Sequence, residues 1–307
     1  MQTSPSPAHP SVLAPRFLIG VDGGGTGTRA RLQDAQGQTL GEGRAGPSGL
    51  SQGIAQAWHH VLQAVAHAFA DAGLTPTPPA DIALGLGLAG AIVPAQRQAF
   101  LAADPGYVAC VLHSDAIALL VGAHRGRPGI IVAAGTGSVG AVHTAAGALR
   151  EVGGWGFPVG DEGGGAWLGL HAMQAAQAAY DGRAAGGALT DAVLQRCGPD
   201  ASSLLAWCAN ARQHAYAQVA PLVFDAAEAG DPVAEALLQA AADELARHVY
   251  ALQPAQEPLL AVAVGGSIGL RLAERWPADL RARRVEPAGD SADGALHLLR
   301  KALGVVA

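Results

Sequence analysis

A single lysine, Lys301, stands in a chain of 307 residues. A P-loop needs G-x4-G-K-[ST] and a protein kinase needs a lysine on its third strand, and one lysine close to the C-terminal end can supply neither. Charge is scarce in general, at 14% of residues with a formal net charge of −6. That leaves no basic surface for nucleic acid or anionic lipid to select, so neither is expected as a partner. Cysteine is scarce too: Cys110, Cys197 and Cys208 lie far apart without a CxxC. This spacing argues against a disulfide framework and a thiolate zinc site, and it suits reduced thiols in the cytoplasm. No stretch approaches roughly eighteen uninterrupted apolar residues, so no membrane span is expected. The opening MQTSPSPAHPSVLAP has neither a basic start nor a long apolar centre, and residues 1–15 read as a flexible tail rather than a signal peptide.

Apolar residues are plentiful, at 50% of the chain, alongside 42 glycines and 19 prolines. That composition describes a compact soluble protein rich in turns, and the length favours two medium lobes, each with its own core. From Phe17 the order is an apolar strand, a glycine turn, the alternating TRARL and a polar turn at 34–37. This is a β-hairpin followed by more strand, not the strand-to-helix step of a dinucleotide fold. Residues 51–72 place Ile54, Trp58, Val61, Leu62, Val65 and Phe69 three or four apart, the pattern of an amphipathic helix that Gly73 ends. DIALGLGLAG, residues 81–90, reads as a buried strand, and 108–112 as a shorter one that delivers His113, Ser114 and Asp115 at its end. Residues 116–123 look helical. GIIVAAGTGSVGAVHTAAGAL then repeats the opening plan of strand, glycine turn, strand and hairpin, which suggests two lobes of the same design. The expected division is residues 16–125 for the N-terminal lobe, completed by a helix over 291–307, and 126–290 for the C-terminal lobe. The latter is expected to hold helices at 191–196 and 231–252, the second opened by Asp231 as N-cap and Pro232 at N1. A last strand, 259–264, ends in Gly265-Gly266-Ser267.

Any one glycine turn after a buried strand can be a tight turn and nothing more. Three at strand ends point elsewhere, because strand ends in a layered α/β fold open on a crevice where freed backbone N–H groups can meet phosphate oxygens. The turns fit no dinucleotide fingerprint, since Gly23 and Gly25 would need a glycine where Thr28 stands. Phosphate binding would therefore rest on backbone amides, threonine hydroxyls and a metal ion. A carboxylate beside a polyphosphate needs a cation between them, which makes Asp22 a candidate to orient Mg²⁺ through its waters; a turn-capping role is the alternative. Asp115, at the tip of a buried strand, suits acid–base work, and it also suits the N-cap of the helix that follows. In GGWGFPVGDEGGG, residues 153–165, seven glycines surround Trp155, Phe157, Asp161 and Glu162. Such a loop can wrap a small polar ligand, with tryptophan stacking on a pyranose and carboxylates binding its hydroxyls; core packing of Trp155 and Phe157 is the other reading.

Taken in order, GVDGGGTGTRARL, SDAIALL, IVAAGTGSVG, GGWGFPVGDEGGG and VGGS resemble the BadF/BadG/BcrA/BcrD-type ATPases, and among them the bacterial glucosamine and N-acetylglucosamine kinases. The resemblance runs from Phe17 to the final helix. It implies the two-lobed, actin-like (ribonuclease-H-like) α/β fold of the actin, Hsp70 and sugar-kinase superfamily, each lobe a mixed sheet flanked by helices, with ATP and Mg²⁺ in the cleft. It assigns Asp22, Gly23, Gly24, Gly25 and Thr26 to the first phosphate loop, Gly135, Thr136, Gly137 and Ser138 to the second, and Gly265, Gly266 and Ser267 to the adenosine side. Asp115 matches the residue that takes the proton of the sugar hydroxyl. Gly154, Trp155, Gly156 and Asp161 match the sugar or cleft-lining set, where Glu162 helps to order the metal or the loop. Two departures touch the sugar pocket. Gly49 stands where many relatives have asparagine, and Ala89-Gly90 replace Ser-Gly-Gly. The expected activity is transfer of phosphate from ATP to the 6-hydroxyl of glucosamine or N-acetylglucosamine, with the dimer as the default oligomer. An activator ATPase is the first alternative, but it would need clustered cysteines for an iron–sulfur cluster. A non-catalytic sugar- or nucleotide-binding regulator is the second, but it would need a helix-turn-helix that the opening fifteen residues cannot form.

Overall fold

The computed structural model describes residues 15–305. The tail expected over residues 1–15 lies outside these, apart from Pro15. The described residues form two compact units, one running to Asp115 and taking in the chain again from Leu298, the other Ala116–His297.

In the first unit, strands β1 (Phe17–Gly23), β2 (Thr28–Asp34), β3 (Thr39–Ala45), β4 (Ile82–Leu88) and β5 (Ala109–His113) form one sheet in the order β3-β2-β1-β4-β5. β1 and β4 run parallel and are buried almost throughout. That is why their sequences are near-continuous apolar runs, while the outer β3 alternates exposed and buried positions. Helix α1 (Ile54–Asp71) buries Trp58, Val61, Val65 and Phe69 and turns Leu62 to solvent, so the apolar stripe is narrower than the spacing alone suggests. A 3-10 turn, Leu50–Gln52, takes the first residues of the expected helix. The Trp58 and Phe100 rings stack with centroids 4.2 Å apart, joining α1 to α2 (Pro94–Ala102). Helix α3 (Asp115–His124) follows β5 after one residue.

The second unit repeats the sheet plan. Strands β6 (Gly129–Ala134), β7 (Ser138–His143), β8 (Leu149–Gly153), β9 (Val262–Gly265) and β10 (Arg284–Val285) give the order β10-β9-β6-β7-β8. Read from the hairpin side, this is the arrangement of the first sheet: on one flank of the founding strand an antiparallel meander of two strands, on the other two strands joined in parallel. Between β8 and β9 run α4 (Gly165–Tyr180), α5 (Ala188–Cys197), α6 (Ala201–Asn210), α7 (Gln213–Ala217), α8 (Ala220–Glu228) and α9 (Pro232–Leu252). After β9 come α10 (Ser267–Leu272), α11 (Ala278–Ala282) and α12 (Ser291–Ala302). The side chain of Asp231 accepts from the N–H groups of Val233 and Ala234, with Pro232 at the first helical position, so α9 starts as its sequence implies. Its inner face sets Leu238, Leu245, Val249 and Leu252 into the core. The strand expected over 259–264 starts later, at Val262, and is not the last, since β10 follows it.

Candidate active site

In the first unit the parallel strands β1, β4 and β5 all end at one edge of the sheet, the edge at which α/β sheets bind ligands. Register pairs Gly23 with Leu88 and Gly87 with His113, so the loops that follow, at 24–27, 89–93 and 114–115, leave side by side. Asp22 is the penultimate residue of β1 and half-buried. The hairpin places it opposite Arg29, whose guanidinium is 3.4 Å from its Oδ2. Gly25 and Thr26 are exposed at the hairpin tip, as a phosphate-facing turn requires. This tip is braced from behind. The N–H groups of Ser48 and Gly49 donate to the Gly24 carbonyl at 3.0 and 3.1 Å, and Gln52 Nε2 donates to the Gly25 carbonyl at 3.1 Å. The Ala89 N–H donates to the Gly23 carbonyl and the Leu50 N–H to the Ala89 carbonyl, both at 2.9 Å, so Gly49 and Gly90 lie in loops laced to the first glycine turn. Asp115 is half-buried at the first residue of α3, where the positive helix end favours a carboxylate. Burial and the Arg97 guanidinium push the pKa of His113, two residues before Asp115, below the ordinary imidazole value.

In the second unit the glycine turn 135–138 joins β6 to β7, and Gly265-Gly266-Ser267 follow β9, which pairs in parallel with β6 through Ala133 and Gly265. β8 pairs antiparallel with β7 through Gly153 and Val139, so the Trp155 loop leaves the same sheet edge as the other two turns. Gly266 adopts a φ of 78° and packs on the Ala134 carbonyl, where an added Cβ would lie 2.2 Å from the oxygen. The turn 135–138 is tied to the start of α4: the Gly165 N–H donates to the Gly135 carbonyl at 2.8 Å and the Ala166 N–H to the Thr136 carbonyl at 2.9 Å. The Ser138 hydroxyl donates to the Glu162 carbonyl at 2.6 Å.

Trp155 is 85% exposed, while Phe157 packs on the core and on the ring of Tyr216. The two aromatics therefore divide between the readings left open by sequence: Trp155 presents a free face and Phe157 anchors the loop. Asp161 is only 6% exposed. It accepts from the Gly156 N–H at 3.1 Å and from Gln213 Nε2 at 2.8 Å. Burial raises its pKa most, the Gly156 and Gln213 hydrogen bonds lower it, and the neighbouring Glu162 charge raises it, for a net upward shift. Gly154 and Gly156 sit at φ 68° and 88°. Arg29, Gln52 and Gln213 carry no motif and were not singled out from sequence. Arg29 was within reach, because a four-residue hairpin tip after Gly23 puts it opposite Asp22.

Among the described residues no group of three or more histidine, cysteine, aspartate or glutamate side chains could hold a metal. A single carboxylate at Asp22 still fits Mg²⁺, which keeps most of its waters and takes one or two carboxylates plus substrate phosphates.

A family model described as the BadF/BadG/BcrA/BcrD ATPase family matches residues 19–270. A glucosamine kinase of Vibrio cholerae is 33% identical over 285 residues, which is 93% of this chain and 96% of the relative. The crystal structure of a candidate N-acetylglucosamine kinase from Chromobacterium violaceum is 46% identical, covers 93% of this chain and 99% of its own, and superposes with a TM-score of 0.88. A ROK-family glucokinase from Streptomyces griseus, 19% identical over 93% of this chain and 99% of its own, shares the fold with a TM-score of 0.52.

Proposed function

Because this chain belongs to the BadF/BadG/BcrA/BcrD ATPase family, we propose that it is an amino-sugar kinase transferring the γ-phosphoryl group of ATP to the 6-hydroxyl of N-acetylglucosamine or glucosamine. The observation that carries this reading is Asp115, held at a helix start where β5 ends, beside the strand ends that bear Asp22 and the first glycine turn.

Asp115 orients the sugar hydroxyl and takes its proton as the oxygen attacks phosphorus. Amides of the exposed Gly25 and Thr26 in the first turn, and amides of the turn 135–138 other than that of Gly135, which donates to the Gly137 carbonyl, donate to phosphate oxygens, and negative charge on the transferring group is the main electrostatic problem in such a reaction. When bound with the nucleotide, Mg²⁺ supplies further charge neutralisation, and Asp22 is the carboxylate that would hold its water shell, with Arg29 fixing that carboxylate at 3.4 Å. Gly265, Gly266 and Ser267 accept the adenosine side. Trp155 offers its exposed ring to the apolar face of the pyranose, and Gly49 and Gly90 are the sugar-binding candidates of the first unit. Small molecules are thus the partners. No helix among the described residues is long and apolar enough to cross a membrane, and the three free cysteines suit a cytoplasmic home.

The test is ADP release, coupled to an optical readout, over glucosamine, N-acetylglucosamine, N-acetylmannosamine, glucose and a control without sugar. The expected outcome is release that depends on one of the first two acceptors. Equal release without acceptor would favour an ATPase instead.

A further inference from the structure

The Trp155 loop rests on α7, a five-residue helix that no motif marks. Two side chains of α7 reach the loop. The Tyr216 ring lies 5.1 Å from that of Phe157, and Gln213 Nε2 donates to Asp161 Oδ2 at 2.8 Å. The other carboxylate oxygen of Asp161 accepts the Gly156 N–H from the opposite limb of the same loop. The carboxylate also lies on the bare Cα of Gly137 in the second phosphate loop, where a Cβ would stand 2.3 Å from Oδ2. Asp161 itself adopts a φ of 62°, a conformation that costs a non-glycine residue energy unless its surroundings impose it. The helix providing Gln213 is in turn seated on α4, since Gly169 admits the Tyr216 carbonyl where a Cβ would come within 1.9 Å. α4 carries the amides that bind Gly135 and Thr136.

We infer that Gln213 is a positioning residue for phosphoryl transfer: by holding the Asp161 carboxylate, its amide locks the Trp155 loop and the second phosphate loop into one arrangement. The word transfer rests on the kinase reading above; the mechanical coupling does not. Asp161 is 6% exposed, so a lost donor is not replaced by bulk water, and a buried carboxylate with one donor fewer is strongly penalised. The loop relieves that penalty by opening, which takes Trp155 away from the sugar and removes the support of Gly137. Asp161 is also expected to line the substrate pocket; each of its oxygens accepts one protein donor, which leaves acceptor capacity for a sugar hydroxyl and adds the positioning role to that contact.

Two variants and two readouts decide the matter. Gln213→Leu keeps the bulk and removes the donor. Gln213→Glu keeps the shape but sets two carboxyl groups together, which repel when both are ionised and hydrogen-bond when they share a proton. The other charged group facing Asp161 is Glu162 of the same loop, while the phosphate loop and α7 present the uncharged Gly137 and Gln213. For Gln213→Leu we expect faster deuterium exchange over residues 153–165 without any ligand. We also expect KM for the amino sugar to rise roughly tenfold to a hundredfold, the range set by a hydrogen bond to a charged group, with a smaller fall in kcat. Gln213→Glu should match Gln213→Leu at about pH 8 and recover toward the wild-type KM at about pH 6, as the shared proton restores the bond. Unchanged exchange with KM within twofold of wild type in Gln213→Leu would overturn the inference. So would equal defects in the two variants at every pH, which would mark Gln213 as a packing residue only. If the wild-type protein phosphorylated no amino sugar, the kinase reading would fall and the exchange experiment would still decide the role of Gln213.

Discussion

Asp115 and Asp161 both lie beyond strand ends, yet their carboxylates are placed for opposite purposes. Asp115 is half-buried at a helix start, whereas Asp161 is enclosed and holds a backbone N–H and a side-chain amide. The first arrangement suits a group that exchanges a proton, and the second suits a strut. Asn at position 115 would keep the polar group that a helix start prefers and lose the base. Asp115→Asn is therefore expected to retain the wild-type melting temperature and nucleotide affinity while kcat falls roughly 10²- to 10⁴-fold. Steady-state kinetics beside an equilibrium nucleotide titration checks this, and near-normal turnover would remove Asp115 from the mechanism. The position of Asp115 was legible because strand ends can be read from apolar runs. The engagement of Asp161 was not, because its partner Gln213 is 52 residues away and no periodicity connects them.

Among elements, α9 shows how far local signals reach. Asp231, Pro232 and the apolar spacing predicted this helix, and the structure adds a further load on its cap: Asp231 Oδ2 also accepts the Leu189 N–H at 3.0 Å, from the first turn of α5. Burial raises the Asp231 pKa, but hydrogen bonds from Leu189, Ala234, Val233 and Ala188 outweigh it and the net shift is downward. Asp231→Ala leaves amides of two helices without an acceptor and is expected to cost about 2 kcal/mol, or roughly 4–8 °C in Tm, by calorimetry at neutral pH. A folded pKa below the unfolded one means that the stabilisation is fully present above the unfolded value and is lost as pH falls through the folded value. The wild-type and Asp231→Ala curves should therefore converge on acidification below about pH 4. A gap that stayed constant to low pH would contradict this. By contrast, α2, α4, α6, α7 and α8 were not singled out from sequence. Alanine and glycine dilute their apolar stripes, as in GAWLGLHAMQAAQAAY of α4, and burial of small residues leaves a weak periodic signal.

At the scale of the whole molecule the two sheets follow one plan, β3-β2-β1-β4-β5 in the first unit and β8-β7-β6-β9-β10 in the second. The duplication was visible in the two strand, glycine turn, strand segments, although only the opening hairpins carry it in sequence. A ligand that binds the folded state raises its stability by mass action, about 2.7 kcal/mol at a hundred times Kd. The preferred amino sugar is expected to raise Tm on its own, and glucose at the same concentration much less. A thermal-shift series that ranked glucose with the amino sugars would move the proposed substrate class to hexoses generally.

The sequence by itself determined the family, the strand ends that carry glycine turns, the absence of any lysine-based phosphate site, and Asp115 and Asp22 as the carboxylates of interest. These follow from local composition and order, which apolar runs and turn residues express directly. Only the tertiary structure decided which side chains face outward and which are consumed within. Trp155 is 85% exposed while Phe157 is an anchor, Arg29 stands against Asp22, and Asp161 is held by Gln213. In a loop so rich in glycine, side-chain direction is not set by a neighbour's backbone but by whichever distant element supplies the donor or the packing surface.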